Sequence, residues 1–527
     1  MLAKSLANRL KSVIDNLIST DQTGYLPGRY IGENIRTVSD IIAYLNQRNR
    51  SGIILQIDFE KAFDSVDWNF IDKTLTKFNF GDDFRKWVRI LYNESQSAIT
   101  NNGFITEFFN LQRGVRQGCP LSVYLFLLVA EILAIKIRSQ ENIRGIPIKN
   151  TTIKISQMAD DTTIFLENKE SIPYLLQLLD IFASCSGLKV NVEKTEAYSI
   201  GPIKHHRNMF GLKWIHGPMK LLGLTIICDN KVNYENNFQP KLKLMKDLLQ
   251  IWSQRNLSLK GKVTIINTLI ISLFVYPITI LPTPLSVLEE IDSSIFKFLW
   301  GNKPPKIAKN VIQNEIHTGG LKMPNIFLKA KSWKLMWLKR ALLHPERNWV
   351  KIVDSLLNNI KFVHIIQSNL FQKAAPVKNL PKFYQDMISS LVALETPEAA
   401  STHDIQNQLI WFNRYITIDK KPFFWKDWYQ KGIIFIRDLL DENGNFLTQD
   451  QLKVKYNLNC NFLDVLKIRQ SIPYSWRNLI RQATSKAQDI PELYLYDKAN
   501  DTQHSIISLK SKDIYWLLYR AENKSGY

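Results

Sequence analysis

The sequence predicts an α+β amino-terminal part that runs into a mostly helical remainder, and three observations predict it. Short β-rich runs mix with helical stretches between residues 52 and 200, strand signals thin out from about residue 235, and residues 345 to 527 are rich in Trp, Phe and Tyr. The 527 residues, at about 150 per domain, hold three or four domains' worth of material. Hydrophobic residues make up 45% and charged residues 22%, which excludes general disorder and a fibrous repeat. Lys plus Arg number 68 against 48 Asp plus Glu, a net charge of +20 that calls for a polyanionic partner, nucleic acid or an anionic membrane surface.

Each element has a local reason. Leu2, Leu6, Leu10, Val13, Ile14 and Leu17 share one helical face, so a helix starts at or near Met1. Lys4, Arg9 and Lys11 interrupt any long apolar run there, which predicts no signal peptide. A chain that opens inside an amphipathic helix points to an upstream segment in a longer reading frame. Strands are expected over Gly52 to Asp58, Thr152 to Ser156 and Thr162 to Leu166, and helices over 121 to 138 and 171 to 185. The stretch 241 to 340 is helical in pattern and holds 16 Lys plus Arg against 5 Asp plus Glu. The 19 uncharged residues from Val263 to Leu281 are long enough for a membrane span. Thr264, Thr268 and Ser272 recur every fourth residue beside Asn267, and Pro277 is expected to break the run, so a packed helix and no membrane is the reading. Cys119, Cys185, Cys228 and Cys460 form no CxxC pair, which fits a reducing compartment. His205-His206 with His216 and Cys228 match no standard zinc spacing.

The acids carry the chemistry. Gly52 to Ile57 is an apolar β-rich run that delivers Asp58 to a sheet edge, and Ile153 to Leu166 reads as two strands joined by a tight turn with Asp160 and Asp161 at or near its tip. Taken singly, Asp160-Asp161 is the composition of a solvated turn. If the hairpin lies beside the first strand, three carboxylates converge, which suits two Mg²⁺ ions about 3.5 to 4 Å apart and phosphoryl transfer. Asp64, Asp67 and Glu60 are nearby acids better suited to helix caps or salt bridges.

Five motifs follow one another: Asp58-Phe59-Glu60-Lys61-Ala62-Phe63-Asp64, Arg116-Gln117-Gly118-Cys119-Pro120-Leu121-Ser122, Ala159-Asp160-Asp161, Ser186 to Asn191 with Lys194-Thr195, and Leu221-Leu222-Gly223. In that order they resemble the palm of reverse transcriptases, the LINE-type (non-long-terminal-repeat) retrotransposon polymerases above all. Asp21 to Arg29 resembles that family's fingers, Trp300-Gly301 and Gly319 to Pro324 its thumb and post-thumb, and Trp425 to Gly432 with Asp438-Leu439-Leu440 its carboxy-terminal region. The resemblance implies a right-hand polymerase: partial fingers and an antiparallel palm sheet over 1–228, a basic helical thumb over 229–345, and a helical carboxy-terminal region over 346–527.

The resemblance further implies that Asp58 and Asp160 hold two Mg²⁺ ions, with Mn²⁺ able to substitute, and that Asp161 is a weaker or outer ligand. Phe63 matches the family's steric gate under the incoming sugar, and Phe59 would join it in binding the dNTP and template; an ordinary core aromatic is the alternative for Phe63. Gln117, Gly118 and Asn191 would line the dNTP and template, and Lys194 would stand near the leaving pyrophosphate, where the alternative is a surface lysine. Arg116, Lys260, Lys262 and Gly223 would touch nucleic acid. The expected partners are an RNA template, a DNA primer and dNTPs, in the nucleus and cytoplasm, with an upstream endonuclease and fingers segment in the full reading frame.

An A-like hybrid is gripped by backbone and shape, which Lys-rich helices do well. Lys241, Lys243, Lys246, Arg255, Lys260 and Lys262 form one basic cluster, and Lys329, Lys331, Lys334, Lys339 and Arg340 a second, with Trp333 and Trp337 expected in the core. Met158 stands where relatives carry an aromatic residue, and Val123 where they carry proline. Two other readings compete: a catalytically inactive nucleic-acid-binding remnant, disfavoured by the intact acids, and an RNA-directed RNA polymerase, disfavoured by the bulk of Phe63.

Overall fold

A computed structural model of the chain describes all residues except 203–208, 227–229, 302, 359, 369–374, 393, 395–398, 400, 481–492, 498 and 524–527. Two compact units divide it, residues 1–233 with 347–352, and 234–346 with 353–527. Residues 234–345 of the expected thumb thus share a unit with the expected carboxy-terminal region apart from 347–352.

The first unit is built on a five-stranded sheet. Its strands are β1 (Gly52–Ile57), β2 (Ile155–Met158), β3 (Asp161–Leu166), β4 (Glu196–Ile200) and β5 (Lys213–Ile215), in the order β5-β4-β1-β3-β2. β1 is central because Ile53, Ile54, Leu55 and Ile57 are buried, so both faces of the strand need cover. It pairs antiparallel with β3, ending at Ile57↔Thr162, and antiparallel with β4 from Gly52↔Ile200 to Gln56↔Glu196. The sheet departs from the expected all-antiparallel palm at one edge, where β5 runs parallel to β4 after a connection of more than ten residues.

Helices Gly32–Gln47, Ser122–Ser139 and Ser171–Ser186 belong to this unit. Leu6, Leu10 and Ile14 join Leu125, Leu128, Leu175 and Leu179 in one core with Leu55 and Ile164. The first helix begins at Leu2 as expected, although Leu2 and Val13 remain exposed. Helix Ser171–Ser186 stops at Gly187, whose φ of +80° supplies the left-handed cap that a side chain resists. Lys154 reaches the last carbonyls of Ser122–Ser139, donating to Arg138 O at 3.0 Å and Gln140 O at 2.7 Å. An ammonium there offsets the negative end of the helix dipole.

The second unit is mostly helical, with two small hairpins, Thr417–Ile418 with Lys421–Pro422 and Tyr494–Asp497 with Thr502–Ser505. Leu259–Ile280 is the one helix among the described residues that is long and apolar enough to cross a membrane, and 44% of its apolar window is buried within the protein. Thr264, Asn267, Thr268 and Ser272 are exposed on one side, as their spacing predicts. Pro277 does not end this helix, which runs on to Ile280. Phe274, Pro277, Ile278 and Ile280 are buried, so packing offsets the one backbone bond the proline removes.

On the helix Ile326–Leu343, lysines of the second basic cluster have partners within their own unit: Lys334 ion-pairs with Asp386 at 3.1 Å, Lys331 with Glu522 at 2.6 Å, Lys339 donates to Leu509 O at 2.9 Å, and Lys329 lies 4.7 Å over the Tyr515 ring. The helix is buried on nearly all sides, so its lysines either find partners or carry the cost of burial. Trp337 is core, donating its indole N–H to Thr279 O at 2.8 Å.

Candidate active site at the carboxy-terminal end of β1

The site begins with one strand end and one turn. β1 ends at Ile57, so Asp58 is the first residue beyond the buried strand and is half-buried. Its backbone is held from the segment before β4: Asn191 N–H donates to Asp58 O at 2.7 Å, Glu60 N–H donates to Lys189 O at 2.8 Å, and Phe59 bridges Val190. Thr195, fully buried, donates its hydroxyl to Asn191 O at 2.8 Å and accepts from Asp58 N–H at 3.4 Å. Asn191 and Thr195 thus anchor the Asp58 peptide.

β2 and β3 form the expected hairpin, with Met158 opposite Asp161 and only Ala159 and Asp160 in the turn. Ala159 takes a φ of +56°, a left-handed conformation that a two-residue hairpin turn demands and a non-glycine residue resists. Because β1 and β3 end together at Ile57↔Thr162, Asp58 and the pair Asp160-Asp161 emerge at the same end of adjacent strands. Burial pushes the Asp160 carboxyl above its ordinary range and the nearby Asp58 carboxylate adds to the shift. Asp161, although its side chain is exposed, is raised by the protein mass around the turn first and then by Asp160 and Asp58. Asp58 thus acts on both carboxyls of the turn, and Asp160 on that of Asp161.

The expectation of three converged metal ligands needs correction. Among the described residues no group of three or more His, Cys, Asp or Glu side chains is arranged to hold a metal ion by itself. The donor set nevertheless fits Mg²⁺, a hard cation bound through one or two carboxylates while waters and phosphate oxygens fill the remaining positions. His205, His206 and Cys228 lie outside the described residues.

The loop Arg113 to Cys119 runs along the Asp64 segment. Val115 N–H donates to Phe63 O at 2.7 Å and Gly114 N–H to Val66 O at 2.8 Å. Gly114 is required there, because at its φ of +90° a β-carbon would sit 2.7 Å from Asp64 O. Gln117 is exposed and its amide reaches Asp64 at 3.4 Å, and Arg116 donates to Ser95 Oγ at 2.6 Å. Gly118 has a φ of +79°, and no protein atom lies within 4 Å of where its β-carbon would be. Phe63 is half-buried and stacked on Phe126, with ring centroids 4.2 Å apart. Lys194 is exposed in the turn that follows Asn191. Asp67 is the amino-terminal cap of helix Trp68–Lys77, accepting from Phe70 N–H at 2.8 Å, and Glu60 pairs with Lys189 at 3.6 Å.

Gly223 belongs to the two-residue turn between Met219–Leu221 and Leu224–Ile226, where Leu222 and Gly223 both have positive φ, the geometry of a type I′ hairpin. In the second unit Lys260 is exposed, whereas Lys262 donates to Leu299 O at 3.1 Å near the end of helix Leu285–Trp300.

Sequence reasoning missed the support behind the turn. Gln22, Asn34, Glu131 and Arg138 are buried or half-buried polar residues that bind one another's segments: Asn34 donates to Gln157 O at 2.8 Å, and Arg138 pairs with Asp21 at 2.7 Å and Glu131 at 2.5 Å. The available signal was the polar series Glu33, Arg36, Thr37 and Asp40, one face of a helix that is buried nearly all round.

Residues 1–226 match the family model described as reverse transcriptase (RNA-dependent DNA polymerase). The chain carries a reverse transcriptase domain. That domain holds the β1 end, the hairpin turn and the Arg116 to Cys119 loop. Beyond it, the chain is 25% identical over 433 residues to the "Transposon TX1 uncharacterized 149 kDa protein" of Xenopus laevis, covering 78% of this chain and 32% of that protein. It is likewise 25% identical over 382 residues to the "Retrovirus-related Pol polyprotein from type-2 retrotransposable element R2DM" of Drosophila melanogaster, covering 69% of this chain and 33% of that protein. The chain therefore spans about a third of the length of these curated relatives. Among solved structures, apo telomerase from Candida tropicalis aligns with a TM-score of 0.38 at 12% identity, over 66% of this chain and 61% of that one, a likeness too slight to bear on the fold.

Proposed function

We propose that this chain is the RNA-directed DNA polymerase portion of a non-long-terminal-repeat retrotransposon protein, with fingers and palm over 1–228, a thumb over 229–345 and a helical carboxy-terminal region over 346–527. The observation that carries the reading is the placement of Asp58 and Asp160-Asp161 at one end of adjacent strands, inside a reverse transcriptase domain, with the Asp160 and Asp161 carboxyls raised by burial and by the acids beside them.

Asp58 and Asp160 would hold two Mg²⁺ ions, and Asp161 would support them from the outer edge. Bound there, the ions supply charge neutralisation of the phosphates and activation of a hydroxyl. In the reaction the primer 3′-oxygen forms a bond to the dNTP α-phosphorus while the bond to pyrophosphate breaks, and the hydroxyl proton leaves to solvent. The residues of the chain position the partners. Lys194, exposed and cationic, offers charge and a proton to the departing pyrophosphate. Gln117 and the open backbone at Gly118 face the nascent base pair, with Arg116 beside them on the template side. Phe63, backed by Phe126, excludes a 2′-hydroxyl, and Phe59 lines the same floor. Asn191 acts through Asp58, whose peptide it fixes. Lys260 and the Gly223 turn contact the primer and template backbone, while Lys262 is turned toward its own unit. Partners are an RNA template, a DNA primer and dNTPs, in the nucleus and cytoplasm.

The test is extension of a DNA primer on a homopolymer RNA template by the full chain, in Mg²⁺ and then Mn²⁺, beside Asp160→Asn. Extension by the parent and none by the variant is expected. Salt-dependent binding of the primed template without extension in either metal contradicts the reading and leaves a nucleic-acid-binding remnant.

A further inference from the structure

We propose that Gln22 is a positioning residue that holds the Asp160 turn in its metal-ligating conformation, an inference that rests on the polymerase reading above. Gln22 is 1% exposed, and its carboxamide is used on both sides. Oε1 accepts from Ala159 N–H at 2.8 Å and from Gly24 N–H at 2.8 Å, while Nε2 donates to Ala159 O at 3.2 Å. One side chain therefore clamps both peptide groups of the residue immediately before Asp160. That residue is the one in a left-handed conformation, which local sequence does not favour and only surrounding contacts can hold.

The clamp is itself anchored. Gln22 bridges Gln157 in parallel, Thr23 N–H donates to Gln157 O at 2.9 Å, and Gln157 N–H donates to Asp21 O at 2.8 Å, so the segment lies along β2 as a short extra strand. Gly24 admits this approach, since a β-carbon there would stand 2.5 Å from Ala159 N. Arg29 fixes the segment from behind, donating to Gln22 O at 2.7 Å and Ile18 O at 2.8 Å. Only an amide of this length offers an acceptor and a donor across one peptide pair. A side chain that merely filled the space would leave the Ala159 N–H and C=O buried and Asp160 free to swing with its turn.

The experiment measures Mn²⁺ binding by electron paramagnetic resonance. It uses the full chain in complex with a dideoxy-terminated primed RNA template and the next dNTP, so that no bond forms. Gln22→Met keeps the volume and loses all three hydrogen bonds; Gln22→Asn keeps the amide and loses its reach; Asp160→Asn marks the lost site. Both Gln22 variants are expected to bind Mn²⁺ about tenfold more weakly than the parent, in line with the usual effect of removing a partner that orients a metal ligand. The Mg²⁺ concentration for half-maximal extension should rise to match, and the KM for primed template should stay at the parental value. Parental Mn²⁺ affinity in both folded variants, with the site lost in Asp160→Asn, overturns the role of Gln22 alone, whatever the melting temperature. A parent without Asp160-dependent Mn²⁺ binding overturns the polymerase reading and the inference together.

Discussion

Phe63 lies stacked on Phe126, with ring centroids 4.2 Å apart and planes 21° from parallel. Phe126 is 1% exposed in helix Ser122–Ser139, so the half-buried ring that would meet the incoming sugar rests on a fixed floor. Phe126→Leu should let Phe63 tilt away, and discrimination against ribonucleotides should fall by roughly tenfold while incorporation of dNTP changes less. Competition assays with matched dNTP and rNTP measure this ratio, and an unaltered ratio would show that the stack has no part in sugar selection.

Gly114 holds its loop against the Asp64 carbonyl, where a methyl group has no room. Gly103, with a φ of +86° and nothing within 4 Å of its β-carbon position, carries only the conformational cost. Gly103→Ala should lose about 1 kcal/mol and Gly114→Ala at least ~2 kcal/mol more, since the clash adds to the strain. Urea unfolding of both variants gives the difference directly, and equal losses would remove the clash from the account.

Lys334 and Lys260 separate structural from contacting cations. Lys334 is buried against Asp386, whereas Lys260 is exposed. Lys260→Ala should reduce the slope of log affinity for primed template against log salt by about 1, because one phosphate contact is lost. Lys334→Gln should lower thermal stability and leave that slope unchanged. A reduced slope in Lys334→Gln would return that lysine to the nucleic-acid interface.

His364 gives the second unit an acid sensitivity. Its Nδ1 shares a 2.7 Å hydrogen bond with the Tyr429 hydroxyl, its ring stands edge-on to Tyr429 and Phe435, and burial, aided by the nearby Lys361 ammonium, pushes its pKa down to about 3. In the unfolded chain it titrates near 6.5. Between those values the unfolded state binds the extra proton, so this stability is full above about pH 6.5 and is lost as pH falls, by at most about 1.4 kcal/mol per unit. The stability advantage of the parent over His364→Gln should therefore shrink between pH 7.5 and pH 5. A gap that stays constant contradicts the assignment.

Much of the site was legible because its signals are local. An apolar β-rich run ending in Asp58, and two short strands with Asp160 in the turn between them, can be read within a few residues of each acid. What supports them was not legible, because it pairs residues far apart: Gln22 meets Ala159 across 137 positions, and Lys331 meets Glu522 across 191. The same distance hides two acidic partners of the second basic cluster, Glu522 for Lys331 and Asp386 for Lys334. Pro277 was expected to break a helix that packing on Phe274 and Ile278 carries through.

The most direct test of the central claim is single-nucleotide addition to a labelled DNA primer on an RNA template in Mg²⁺, comparing the full chain with Asp58→Asn. Addition of the complementary dNTP by the parent is expected, with a loss of several orders of magnitude in the variant, whose stability should match or exceed the parent's because a repelling charge is gone. Equal addition by the two proteins, or none by a folded parent that binds the primed template, would contradict it.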